Sequence, residues 1–164
     1  LLSGQGEGAG WQLSRATRQA YADRKPGVWA RDAVLWGGNL AVLTSLLGTP
    51  YLPQIDKGVL FFEDIAEHPY RVERMLLQLQ QAGVVDAQAA VLLGDFSGAA
   101  RSPLDRGYGL KDAVAALRAR TKTPVLTGLP FGHVRTQSPD GLAVYTCKVN
   151  RISRHTRLHG KLRN

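Results

Sequence analysis

The chain has 164 residues, 44% of them hydrophobic, enough for one domain with a real core or for a domain with appendages. Its net charge of +8 is gathered at the end, where Lys148, Arg151, Arg154, Arg157, Lys161 and Arg163 fall in a stretch without acids; elsewhere fifteen basic residues face thirteen acidic ones. A nucleic-acid-binding body is therefore not expected, no apolar run reaches the roughly 20 residues of a membrane span, and the single cysteine, Cys147, excludes an internal disulfide.

Residues 1–32 read as a connector: a glycine-rich opening, polar residues, then Lys25-Pro26-Gly27. The run GQGEGAG has the outline of a dinucleotide loop, but no strand precedes it and its third glycine is badly placed. Leu1-Leu2 passes at once into Ser-Gly-Gln-Gly-Glu-Gly, which lacks the form of a signal peptide. With Met75 as its only methionine, the chain reads as a piece of something longer. The lone cysteine points to a cytoplasmic setting, and its place in Val-Tyr-Thr-Cys-Lys-Val is that of a strand residue.

Trp36-Gly37-Gly38-Asn39 opens a helical pattern over residues 40–47, with Asn39 suited to the N-cap and Gly48 to the stop. Its faces are apolar nearly all round, so it is expected to be well buried. Two prolines, Pro50 and Pro53, prevent its continuation. A short buried strand follows, Val59-Leu60-Phe61-Phe62, ending in two acids, Glu63 and Asp64. Val72, Met75, Leu76 and Leu79 then recur at helical spacing over 69–81, with Gly83 as the terminator. A second strand, 89–93, ends at Gly94-Asp95-Phe96; a helix spans 110–120; a third strand, 124–127, ends at Gly128-Leu129-Pro130-Phe131-Gly132-His133. This alternation implies parallel strands joined by right-handed crossovers, and residues 142–149 suit one further strand.

In that topology the C-terminal strand ends share one edge, where α/β proteins hold their ligands. Glu63, Asp95 and His133 all fall there. A carboxylate that orients an imidazole, which in turn takes a proton from serine or cysteine, is a nucleophile-activating relay. The plainer alternative is that Glu63 caps the next helix and His133 is a loop residue. His155 and His159, four residues apart, could meet on a helix, but they lack the further ligands of a metal site.

Four runs, WGGNLAVLTSLLGTPYLP, GVLFFEDIAEHPYRVERMLLQLQQAG, VLLGDFSG and GLPFGH, occur in an order and at a spacing that resemble the LD-carboxypeptidases. These are serine peptidases that include murein tetrapeptide carboxypeptidase. The resemblance covers about residues 5–141 and implies a Ser-Glu-His triad. Glu63 is then the orienting acid, with Asp64 its rival, and His133 the general base. It implies a three-layer β/β/α domain over 33–149, a mostly parallel sheet with helices on one face and a second sheet on the other. Residues 150–164 depart from the family as a basic tail. The resemblance implies that the nucleophilic serine lies in an N-terminal domain outside this chain; neither Ser97 nor Ser102 has a matching context. Implied too are release of terminal D-alanine from an L,D-bonded murein tetrapeptide during cytoplasmic cell-wall recycling, no metal or organic cofactor, and a homodimer. A related branch cleaves peptidyl-nucleotide antibiotics and confers self-immunity. A truncated, noncatalytic domain is the competing reading.

Overall fold

The computed structural model describes residues 13–23, 28–99, 103–129, 131–132 and 145–153, of which 28 and 145–153 are described by their backbone. Its elements are α1 (Arg15–Ala20), β1 (Val28–Asn39), α2 (Leu40–Ser45), β2 (Val59–Ile65), α3 (Pro69–Gln81), β3 (Ala90–Ser97), α4 (Leu110–Arg118), β4 (Val125–Thr127) and β5 (Tyr145–Ser153). The strands form one sheet in the order β4-β3-β2-β1-β5, in which β1 to β4 are parallel and β5 pairs antiparallel with β1.

Strands consecutive in the chain are neighbours in the sheet, so α2, α3 and α4 all return over one face. That face carries the larger core, with Trp36, Leu60, Phe62, Val91, Leu93 and Val125 from the strands against Leu40, Leu43, Met75, Leu76, Leu79, Val114 and Leu117. Val59, Phe61, Leu92 and Leu126 point the other way and meet Leu13, Ala30 and Ala33. Both faces of the central strands are thus apolar, as a parallel sheet requires.

Local signals set the helices. Asn39 Oδ1 accepts from the Val42 amide at 3.0 Å and caps α2. Pro69 at the start of α3 lacks only an amide that would go unpaired. Gly83, at φ 79°, ends that helix, with its amide bonded to Gln80 O and that of Val84 to Leu79 O. Two expectations need correction. Helix α2 buries Leu40 and Leu43, but Val42 is 40% exposed, because the helix lies on the sheet along one side only. And Trp36 to Gly38 belong to a strand rather than to the lead-in of a helix. Gly37 sits so close to β2 that a Cβ there would stand 2.0 Å from the Phe61 carbonyl oxygen, which only glycine permits.

The stretch expected as a connector contributes structure of its own: Leu13 and Thr17 are buried, and β1 begins at Val28. On the sheet face opposite the helices, the described residues of this stretch pack Leu13 and its neighbours. They also close the free edge of β4. The Val125 amide donates to Tyr21 Oη at 2.7 Å, and the Val125 carbonyl accepts from the Arg118 guanidinium at 2.6 Å. The Thr127 amide donates to Thr17 Oγ1 at 2.9 Å, and the Thr127 carbonyl accepts from the Ser14 amide at 3.2 Å. An edge strand that would invite pairing is satisfied by other means.

Candidate active site

Glu63 and Asp64 lie in the last three residues of β2, toward the carboxyl edge of the sheet, 7% and 4% exposed. Alternation along a strand sends adjacent side chains to opposite faces, and here it separates their roles. Asp64 shares the parity of Leu60 and Phe62, which face the helices. Its Oδ1 accepts from Asn39 Nδ2 at 2.8 Å and from the Ile65 amide at 2.9 Å, and its Oδ2 accepts from the Ala41 amide at 2.9 Å. Asp64 therefore accepts from the first turn of α2. Glu63 has the parity of Val59 and Phe61, on the opposite face.

The strands flanking Glu63 are specified closely. On one side its register partner is Asn39 of β1. On the other, pairing with β3 runs Phe62 to Leu93 and resumes at Asp64 to Phe96, so Gly94 and Asp95 together oppose the single residue Glu63. Such a bulge bends the strand and re-aims what lies beside it. The chain leaving β4 is drawn against this bulge. The Leu129 amide donates to Leu93 O at 3.3 Å and the Asp95 amide to Phe131 O at 2.7 Å. The Phe131 ring meets Phe61 edge-on at 5.0 Å between centroids. Gly132, at φ 134°, packs so tightly that a Cβ on it would stand 2.7 Å from Asp95 Cβ.

His133 follows Gly132 directly and lies outside the described residues, as do Ser102, His155 and His159. Ser97 is exposed at the end of β3, where its hydroxyl donates to Asp95 Oδ2 at 2.5 Å. Cys147 lies in β5. Among the described residues no group of three or more His, Cys, Asp or Glu side chains could hold a metal ion, and no helix is long and apolar enough to cross a membrane. What sequence reasoning missed is the engagement of Asn39 with Asp64. Phe61 and Phe62 are both apolar, so the residues before the two acids do not reveal which acid faces which layer.

Residues 32–143 match the LD-carboxypeptidase C-terminal domain. The "Probable murein peptide carboxypeptidase" of Bacillus subtilis (strain 168) is 36% identical over 102 residues, 62% of this chain and 32% of that protein. The crystal structure of muramoyltetrapeptide carboxypeptidase from Oxalobacter formigenes superposes with a TM-score of 0.62 at 41% identity, covering 85% of this chain and 50% of that one. The structure of MccF in complex with glutamyl sulfamoyl guanosine gives 0.51 at 26% identity, over 66% and 33%. The chain thus spans about a third to half the length of the proteins it matches. On its parallel sheet, its paired acids and these likenesses, the chain belongs to the LD-carboxypeptidase family, whose C-terminal domain it carries.

Proposed function

We propose that the intact protein is a serine-type LD-carboxypeptidase that releases terminal D-alanine from a murein tetrapeptide. In this reading Glu63 orients His133, and a serine outside these 164 residues is the nucleophile. The observation that carries it is the division of labour between the two acids. Asp64 spends both oxygens on Asn39, Ala41 and Ile65, while buried Glu63 stands on the opposite face, beside the bulge against which Phe131 and Gly132 are clamped. The reading is supported by sequence adjacency: the residue after Gly132 is His133, and Gly132 itself packs on Asp95, which with Gly94 opposes Glu63.

The chemistry follows from these roles. The imidazole takes the serine proton as Oγ attacks the carbonyl carbon, and returns it to the departing D-alanine amine. Water, deprotonated by the same imidazole, then opens the acyl-enzyme. Glu63 fixes the ring and stabilises its cationic form. The setting proposed with this is cytoplasmic cell-wall recycling by a homodimer.

A second reading is supported by the likeness to MccF, solved with glutamyl sulfamoyl guanosine: cleavage of a peptidyl nucleotide by the same triad. Incubating the intact protein with murein tetrapeptide and with an aminoacyl sulfamoyl nucleoside separates the two. D-alanine release, abolished in Glu63→Ala and in His133→Ala, supports the first reading; cleavage of the nucleoside alone supports the second. Full activity in both variants sinks the triad assignment.

A further inference from the structure

We infer that Asp64 is a positioning residue for this reaction, acting through Asn39 to hold the β1–α2 junction against the end of β2 beside Glu63; this rests on the reading just given. Asn39 and Glu63 are opposed in the last register pair between β1 and β2. Past that pair the parallel ladder stops, and the backbone bonds that fix the relation of the two strands stop with it. Asp64 replaces them. One oxygen takes Asn39 Nδ2 at 2.8 Å and the other takes the Ala41 amide at 2.9 Å, so both sides of the turn into α2 are tied to the residue following Glu63.

Every polar side-chain atom of the pair is engaged. Asn39 spends its Oδ1 on the Val42 amide and its Nδ2 on Asp64, and Asp64 also accepts from its own neighbour, Ile65. At 4% exposure, Asp64 has little water to substitute for a lost partner. Rotation of Asp64 is therefore resisted from three directions. Glu63, joined to it by one peptide bond, inherits a fixed backbone on the β1 side and the bulge of β3 on the other. A carboxylate that must orient an imidazole needs such a mount, because a displacement of about 1 Å in a reacting constellation costs on the order of 10²-fold in rate.

The network also explains why two acids stand in sequence at this strand end. They are not alternates for one role: Glu63 serves the reaction and Asp64 serves the frame.

The test uses the intact protein and D-alanine release from murein tetrapeptide, with thermal melting measured alongside. Asp64→Asn turns one acceptor oxygen into a donor that faces Asn39 Nδ2. We expect kcat to fall about 10- to 100-fold with KM little changed, in protein that still melts well above the assay temperature. Combining Asp64→Asn with Asn39→Asp reverses the donor and acceptor across the pair and should restore part of kcat, the rest staying lost because the Ile65 amide shares Oδ1 with Asn39 and would still face a donor. Asp64→Glu guards against a variant that fails to fold, since it keeps the charge and shifts only the reach; a fall in kcat is expected there too. Wild-type kcat per folded molecule in Asp64→Asn, or no recovery in the exchanged pair, overturns the positioning role while leaving the peptidase reading intact. Absence of release by the unaltered protein overturns both.

Discussion

The carbonyl oxygen of Phe131 would stand 2.3 Å from a Cβ built on Gly94, and the same oxygen accepts the Asp95 amide at 2.7 Å. The segment leading to His133 is thus pressed into a notch that β3 opens only because residue 94 is glycine. Gly94→Ala must push backbone away from backbone, since no flexible side chain is available to yield. The expected destabilisation is about 1–3 kcal/mol, read as a shift of the urea midpoint. Because the shift moves the chain just before the proposed base, activity of the intact protein should fall by more than the lost folded fraction, on the order of 10²-fold in kcat. Thermal melting and D-alanine release on the same samples check this.

The edge of β4 gives a second expectation. Thr17 is fully buried, and its hydroxyl oxygen accepts from the Thr127 amide and, at 3.0 Å, from Arg118 Nη2. Thr17→Val keeps the shape but leaves the Thr127 amide without its acceptor, while Arg118 Nη2 keeps its bond to the Val125 carbonyl; the loss should cost about 1–3 kcal/mol. Thr17→Ser retains the oxygen and should cost less. Chemical denaturation of the two variants, compared with the unaltered protein, measures the difference.

Much of this fold was legible in the sequence, and the reasons for the exceptions are physical. Helix α3 shows its period of 3.6 and its glycine stop, and it spans Pro69–Gln81 as the spacing predicts. Strands β2, β3 and β4 are short apolar runs bounded by turns, which is how buried parallel strands read. Strand β1 is not, because its alternation is broken. Asp32 has φ 50°, so Ala30 and Ala33 share a face three residues apart, and the pairing with β5 shifts between Val28 and Ala30. Gly37 and Gly38 then close the strand with residues that usually weaken one. The direction of β5 was likewise hidden, since the path of the chain after β4 decides it. At the site, the sequence placed the two acids at a strand end but could not assign their faces, because that strand is apolar on both.

Tyr108 supplies the pH dependence. Its hydroxyl donates to Glu73. Desolvation raises its pKa from 10.0 to about 12, assisted by that hydrogen bond and by the charges of Glu73 and Asp112. A group whose proton is held more tightly in the folded state adds stability below its unfolded pKa, and that stability is lost as pH rises. The contribution of Tyr108 should therefore be complete below pH 10 and gone by about pH 12. Ultraviolet difference titration against Tyr108→Phe should show the late phenolate. Glu73→Gln should bring it partway back toward 10, because desolvation remains.

The most direct test of the central claim is the rate of D-alanine release from murein tetrapeptide by the intact protein carrying Glu63→Gln. That change keeps the size of the side chain and removes the charge that would orient and stabilise the imidazole. The loss predicted is on the order of 10⁴-fold in kcat, the scale seen when a triad acid is neutralised, and far beyond the loss expected for Asp64→Asn. A Glu63→Gln enzyme as fast as the unaltered protein would contradict the assignment of Glu63 as the triad acid.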